Sequence, residues 1–167
     1  FTDINILEEV KRVLKSSLAI DHFYLFKQIL EKKSRILYIC DNCGEIYLDK
    51  LFAQELKRMG KEIFFVVKSG PVINDATIED AREAGLKQIG TVLETGHAKI
   101  GFPMNDVSPQ LQDILDSKPL VIAKGQGNYE TIDMPDQTVF FLLKAKCPLV
   151  AQSLGVKLYD VVFKSNS

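Results

Sequence analysis

Apolar residues recur through the first 33 positions at the spacing of one helical face. The first set comprises Ile6, Leu7, Val10, Val13, Leu14 and Leu18. A second amphipathic piece, from about Asp21 to Lys32, carries Phe23, Phe26, Ile29 and Leu30. This periodicity is typical of helices with one buried face. We therefore predict an N-terminal helical segment over residues 1–34.

From residue 35 the pattern changes to short apolar runs separated by helix-like segments. The runs span 36–40, 63–67, 88–93, 120–123, 139–143 and 158–163, and helices are predicted from about Glu45 to Met59 and from Ser108 to Ser117. Several runs are apolar on both faces, which is typical of a parallel sheet covered by helices. We predict that residues 35–167 form a three-layer α/β/α domain with a Rossmann-like, mostly parallel sheet.

Polar residues cluster where four of these runs end. They are Asp41, Asn42 and Glu45 after the first run, Lys68, Asn74 and Asp75 after the second, Lys124, Gly125, Gly127 and Asn128 after 120–123, and Lys144 and Lys146 after 139–143. Ligands of such sheets bind outside the carboxyl ends of the strands. Carboxylate and amide oxygens suit Mg²⁺ or Mn²⁺, and lysines with glycine amides suit an anion. The pattern predicts a divalent metal beside a bound phosphate. The segment 96–109 is the longest irregular stretch, and we expect it to form a loop over this site.

Each of these residues also has a purely structural interpretation. Asp41 and the pair Asn74 and Asp75 suit helix N-caps. The two glycines, Gly125 and Gly127, lack a full dinucleotide fingerprint, and lysines at strand ends are usually solvated. The functional interpretation depends on the coincidence of these residues at one edge of the sheet.

The cysteines and histidines offer other chemistry. Cys40 and Cys43 form a C-x-x-C motif beside a βαβ pattern, so a redox site is an alternative. His22 and His97 are far apart in sequence, and no Ser-His-Asp or Cys-His arrangement is evident. Three unevenly spaced cysteines do not make a disulfide framework, which favours a cytoplasmic setting.

The composition excludes several classes of protein. The chain has 167 residues, 46% hydrophobic and 26% charged, with a net charge of −1. These values predict a globular domain that does not bind nucleic acid as its main partner. The apolar runs are too short to span a membrane. We expect no signal peptide, because Phe1 opens directly into a helix-like pattern. A chain without an initial Met is compatible with a piece of a longer protein.

Taken in order, these motifs resemble those of the DUF89 family of metal-dependent damage-control phosphatases, particularly its stand-alone microbial branch. The resemblance rests on the segments 41–45, 74–77, 125–130 and 146–148 and covers about residues 35–164. Family members usually carry a larger N-terminal helical region than this chain does.

The resemblance implies that Asp41, Asn42 and Asp75 hold a divalent metal, Mn²⁺, Co²⁺, Ni²⁺ or Mg²⁺. It implies hydrolysis of phosphate esters of small, often damaged metabolites such as sugar phosphates, nucleotides or cofactor intermediates. Lys146 resembles the family lysine that contacts the substrate phosphate, and residues 125–128 resemble its glycine-rich loop. We also expect Glu45, Asn74 and Lys124 to bind substrate.

Three alternatives remain open at this point: a non-catalytic module that binds phosphometabolites or nucleotides, the redox protein, and a carboxyl methyltransferase suggested for distant relatives. The sequence shows no complete cofactor fingerprint for a methyltransferase. It does not indicate an oligomeric state.

Overall fold

The computed structural model describes residues 16–166, so the apolar face predicted over residues 6–14 lies outside the described residues. The strands are β1 Ile20–Asp21, β2 Arg35–Ile39, β3 Glu62–Val67, β4 Thr91–Glu94, β5 Leu120–Lys124, β6 Val139–Lys144 and β7 Val161–Ser165. The helices are α1 Phe23–Lys32, α2 Ile46–Arg58, α3 Ile78–Glu83, α4 Pro109–Asp116, α5 Gln126–Thr131 and α6 Pro148–Leu154. Short 3₁₀ turns occupy Leu86–Gln88 and Met104–Asp106.

The strands form one mostly parallel sheet in the order β1-β7-β6-β5-β2-β3-β4. The five strands from β6 to β4 run parallel to their neighbours, and β7 is antiparallel to β6. From β2 the chain proceeds to β3 on one side, whereas β5 returns to the other side of β2. The strand order therefore reverses between β2 and β5, which is where sheets of this kind open a binding crevice.

Successive residues of the central strands point to opposite faces and build two separate apolar clusters. Tyr38, Phe65 and Ile122 lie on one face, under buried side chains of α1, α2 and α3. Leu37, Val66 and Val121 lie on the other, under α4 and α6. Burial of both faces explains the uninterrupted apolar runs and confirms the predicted three-layer α/β/α architecture.

Three predicted elements differ from the structure. Ile20–Asp21 form an edge strand parallel to β7, so the helix predicted from about Asp21 begins only at Phe23. The run 88–93 divides into a 3₁₀ turn and β4. The run 158–163 becomes a strand only at Val161, because Tyr159 lies in a turn with φ 71°. The division of the chain at residue 34 stays a prediction, although β1 is a strand of the sheet and α1 packs on it.

Among the described residues, no helix combines the length and the apolar character needed to cross a bilayer.

Candidate metal and phosphate site

The segments after β2 and β3 are held together by backbone hydrogen bonds. Asn42 and Asp75 form an isolated antiparallel bridge. The amide of Ala76 donates to the carbonyl of Asp41 at 2.7 Å, and the amide of Cys43 donates to the carbonyl of Asn74 at 2.9 Å. Two stretches that are distant in sequence are thereby fixed side by side, as the prediction of a shared cation requires.

The helix-cap alternatives for these carboxylates are wrong. The N-cap residue of α2 is Glu45, which makes no side-chain cap hydrogen bond. The N-cap of α3 is Thr77, which forms a capping box with Asp80. Asp41 and Asp75 cap neither helix, so helix capping does not explain them.

The side chain of Asn42 is oriented by the two carboxylates that flank it. Its Nδ2 donates to Asp41 Oδ2 at 2.8 Å and to Glu45 Oε1 at 2.9 Å. Because the nitrogen faces both carboxylates, the amide oxygen is left for a cation. This is the orientation that an Asn metal ligand requires.

Asp41 lies in crowded negative charge. Burial, followed by the nearby carboxylates of Glu45 and Asp75, raises the pKa of Asp41 to about 6, against the opposing effect of Lys146 and Lys124. Burial and like charges destabilise the ionised form of Asp41, and a bound cation would stabilise it. The hydrogen bond from the Ala76 amide to the Asp41 carbonyl places Asp75 next in sequence to a residue that contacts Asp41.

Gly125 packs directly against Asp41. Its backbone has φ 83° and ψ 164°, a region that is essentially restricted to glycine. A Cβ at this position would lie 2.1 Å from Asp41 Oδ2. Gly125 follows β5 and Asp41 follows β2, so the two residues meet at the reversal of strand order. The carboxylate of Asp41 therefore rests on bare backbone.

The predicted glycine-rich loop is largely helical, which corrects the loop prediction for residues 126–130. Residue 125 is the N-cap, and α5 already begins at Gln126. Gly127 lies inside this helix, where an added Cβ would lie 3.5 Å from the amide nitrogen of Gly101. The first helical amides have no intrahelical acceptor, so the segment still offers donors to an anion.

The side chain of Asn128 has structural partners, whereas the role of Asn74 as a substrate ligand stays a prediction. The Asn128 side chain is 2% exposed, and its Nδ2 donates to the carbonyls of Lys124 at 2.7 Å and Cys40 at 3.1 Å. Its amide nitrogen therefore ties the ends of β2 and β5 together and is not available to a phosphate. Asn74 is exposed and contributes a carbonyl to the bridge with Cys43.

Lys124 is already engaged by two carboxylates. Its Nζ donates to Asp49 Oδ1 at 2.6 Å and to Glu45 Oε2 at 3.2 Å. Burial opposes its charge, but Asp49 and Glu45 outweigh this effect and hold the pKa of Lys124 above the ordinary lysine value. Lys124 is thus a buried cation with its own counterions.

An open pocket of about 460 Å³ lies over these groups. Its polar lining includes Asp41, Glu45, Lys124, Gly125, Gln126 and Lys146. Lys146 is exposed, and its backbone amide is held by Gln126 Oε1 at 2.9 Å. Leu18, Leu142 and Val161 contribute an apolar wall. The pocket thus places an exposed lysine and an apolar surface beside the acidic centre.

The sequence singled out Lys68 only as a lysine beside the site, and the structure ties it to a predicted ligand. Lys68 Nζ lies 3.5 Å from Asp75 Oδ2 and donates to the carbonyl of Gly101. Phe102 is fully buried, and its amide donates to Thr131 Oγ1 at 2.7 Å. The irregular segment 96–109 is therefore anchored beside the site by its middle residues.

Asp49 is a contributor that the sequence did not reveal. It lies on the apolar face of α2, in line with Ile46, Ala53 and Leu56. A carboxylate on the buried stripe of an amphipathic helix was the signal that could have identified it.

The donor set is small and entirely oxygen. Within residues 16–166, no three His, Cys, Asp or Glu side chains are grouped to hold a metal by themselves. Two carboxylates with one amide oxygen still fit a hard cation that keeps waters or substrate oxygens as its remaining ligands. The residues present therefore fit a Mg²⁺-like or Mn²⁺-like ion.

The cysteines do not fit a redox site. Cys40 and Cys43 are both free thiols, and Cys40 is buried. Burial raises the pKa of the Cys40 thiol well above its ordinary range, which suppresses the reactive thiolate.

Comparison with known proteins finds a matching family and several relatives. The model of the family "Damage-control phosphatase ARMT1-like domain" matches residues 2–162. A damage-control phosphatase of Pyrococcus horikoshii is 40% identical over 158 residues, which is 93% of this chain and 55% of the relative. A damage-control phosphatase of Archaeoglobus fulgidus is 37% identical over 157 residues, covering 93% of this chain and 54% of the relative.

A crystal structure of a DUF89 family protein from Pyrococcus horikoshii superposes with a TM-score of 0.89 at 40% identity. The match covers 96% of this chain and 57% of that one. The chain thus spans about half the length of the relatives it matches. The extent of the family match shows that this chain belongs to the damage-control phosphatase ARMT1-like (DUF89) domain family.

Proposed function

We propose that this protein is a metal-dependent phosphatase that hydrolyses phosphate monoesters of small metabolites, including damaged ones. The observation that carries the proposal is the bridge between Asn42 and Asp75, which fixes the acidic segments after β2 and β3 side by side at the carboxyl edge of the sheet. The relatives named damage-control phosphatases support the reaction class.

The metal ligands in this proposal are Asp41, Asn42 through its amide oxygen, and Asp75. When bound, Mn²⁺, Co²⁺, Ni²⁺ or Mg²⁺ supplies Lewis-acid polarisation of the phosphoryl group and lowers the pKa of a bound water. The support for this set is the orientation of the Asn42 amide and the raised pKa of Asp41.

Lys146 and the start of α5 serve the phosphate. Lys146 projects from an exposed position on the pocket rim, where an ammonium group stabilises charge on the equatorial phosphoryl oxygens. Gly125 presents backbone without a side chain beside the carboxylate of Asp41, whereas Gly127 lies against Gly101 and Ile100. The amide of Gly125 donates to the carbonyl of Leu142 at 3.0 Å, and Asn128 and Lys124 also have structural partners. We therefore assign the phosphate mainly to Lys146 and to the first amides of α5.

The pocket suits a small substrate. Its apolar wall, formed by Leu18, Leu142 and Val161, faces the carbon skeleton while the phosphate lies near Lys146. A cytoplasmic location and the lack of a nucleic-acid partner are proposals that rest on composition alone.

The test is turnover of p-nitrophenyl phosphate with and without Mn²⁺, for the wild-type protein, Asp41→Ala and the control Asp113→Ala. Asp113 is exposed on α4, away from the residues that line the pocket. We expect Mn²⁺-dependent turnover that Asp41→Ala abolishes and Asp113→Ala retains. Equal rates for wild type and Asp41→Ala would refute the proposal, and thermal stabilisation by phosphometabolites without any turnover would favour a binding module.

A further inference from the structure

A buried ionic network lies directly beneath the acidic centre. Asp49 is 4% exposed and Lys124 is 7% exposed. Asp49 Oδ1 accepts from Lys124 Nζ at 2.6 Å and from the hydroxyl of Tyr38 at 2.8 Å. Tyr38 belongs to β2, Asp49 to α2 and Lys124 to β5. The network therefore joins the two strands between which the crevice opens to the helix that begins there.

The same network continues upward to the predicted metal ligands. Lys124 Nζ also donates to Glu45 Oε2 at 3.2 Å, and Glu45 Oε1 accepts from Asn42 Nδ2 at 2.9 Å. Asn42 Nδ2 donates in turn to Asp41 Oδ2 at 2.8 Å. An unbroken series of contacts thus runs from the sheet core to the carboxylate of Asp41.

Stability alone does not account for this arrangement. A buried ion pair stabilises a fold little compared with apolar side chains of similar volume. Asp49 Oδ2 is also shielded from solvent with no hydrogen-bond partner among the described residues, which adds a desolvation cost. Because the Asp49–Lys124 pair is costly to bury and contacts the residues of the acidic centre, orientation of those residues explains it better than stability does.

Glu45 is the residue that needs orienting. Its side chain is 43% exposed, so an unrestrained carboxylate there would sample several rotamers. Lys124 holds one carboxylate oxygen while Asn42 contacts the other. Fixing Glu45 therefore fixes the amide of Asn42 and directs its oxygen toward the site.

We propose that the Asp49–Lys124 pair is a positioning device that holds Glu45, and through it Asn42 and Asp41, in the geometry that binds the cation. The proposal rests on the proposed function and replaces the role predicted for Lys124 as a phosphate ligand. Lys124 is a positioning residue here, because its ammonium group acts through Glu45.

Two measurements separate the two roles. Loss of a residue that binds phosphate lowers the affinity for phosphorylated substrate and for inorganic phosphate, with little effect on cation binding. Loss of a positioning residue lowers kcat and weakens the cation site. Coulomb's law alone predicts that removing a nearby positive charge tightens Mn²⁺ binding, so weaker binding in Lys124→Met identifies lost positioning.

The experiment compares wild type, Lys124→Met, Asp49→Asn, the double variant and the control Lys50→Met. Lys50 neighbours Asp49 on α2 but donates to the carbonyl of Ala84, away from the pocket. Calorimetric titration with Mn²⁺ gives the affinity, and p-nitrophenyl phosphate turnover gives kcat and KM. Thermal unfolding checks that each variant is folded. The double variant removes both charges together, so it leaves neither without its partner.

We expect Lys124→Met to lower kcat about 100-fold and to weaken Mn²⁺ binding about tenfold, with KM changed less than about threefold. The double variant should be no worse than Lys124→Met, since the pair acts as one unit, and Lys50→Met should match wild type. Unchanged or tighter Mn²⁺ binding, or additive losses in the double variant, would overturn the proposal. If wild type binds Mn²⁺ without turnover, the proposed function fails, and the Mn²⁺ affinities alone decide the positioning role.

Discussion

Replacing Gly125 with alanine tests how closely the backbone supports the acidic centre. The added Cβ would lie 2.1 Å from Asp41 Oδ2 and 2.2 Å from its Cγ, whereas Cβ contacts shorter than 3.0 Å essentially do not occur in proteins. The oxygen must therefore move by at least about 0.9 Å, the difference between 3.0 and 2.1 Å. A displacement of about 1 Å at a reacting group lowers rates on the order of 100-fold. The backbone strain at φ 83° adds a loss of about 1–3 kcal/mol in unfolding free energy.

The assay measures kcat/KM with p-nitrophenyl phosphate in Mn²⁺ and the unfolding free energy in urea. Gly155→Ala is the matched control, because residue 155 has φ 69° and an added Cβ there meets nothing within 4 Å. We expect both variants to lose stability, and only Gly125→Ala to lose about 100-fold in kcat/KM. Activity of folded Gly125→Ala within about threefold of wild type would refute the placement of Asp41 in the reaction centre.

Three further predictions concern pH, the anchored loop and the cysteines. Burial and neighbouring carboxylates raise the pKa of Asp41 from an ordinary 3.8 to about 6. The folded protein without a cation therefore favours protonated Asp41, and Asp41 lowers the unfolding free energy as pH rises from about 3.8 through 6. Protons should accordingly compete with Mn²⁺ below about pH 6, so the Mn²⁺ affinity measured by calorimetry should rise between about pH 5 and 7 and stay level above. An affinity that does not change with pH would contradict this. Phe102→Ala should lower the urea-derived unfolding free energy by about 3–5 kcal/mol, because Phe102 is fully buried; a loss below about 1 kcal/mol would show that the segment is not anchored there. Cys40→Ala and Cys43→Ala should keep Mn²⁺-dependent turnover, and loss of activity with intact folding would revive the redox alternative.

The parallel sheet could be predicted because both of its faces are buried, which leaves an uninterrupted apolar run for each central strand. Edge strands gave weaker signals. β1 is only two residues long, Ile20 and Asp21, so its pattern could not be distinguished from the helix that follows. The antiparallel direction of β7 was not predicted, since it depends on a turn near Tyr159 that leaves no clear trace in hydrophobicity.

The location of the candidate site was predictable, because parallel strands bring the polar residues that follow them to the same edge of the sheet. Asp41, Asn42 and Asp75 are brought together as that rule predicts, because each follows a parallel strand. The roles of Lys124 and Asn128 were not predictable from position. Both lie where a ligand residue would, yet Asn128 contacts the carbonyls of Cys40 and Lys124, and Lys124 contacts Asp49 on α2. Only the folded structure shows these contacts.

Diffraction from a crystal soaked in Mn²⁺ tests the central claim most directly. An anomalous peak within about 2.6 Å of carboxylate oxygens of Asp41 and Asp75 and of Asn42 Oδ1 is the predicted result. A bound ion elsewhere, or an anomalous map without a peak at these three side chains under conditions that support turnover, would contradict the account.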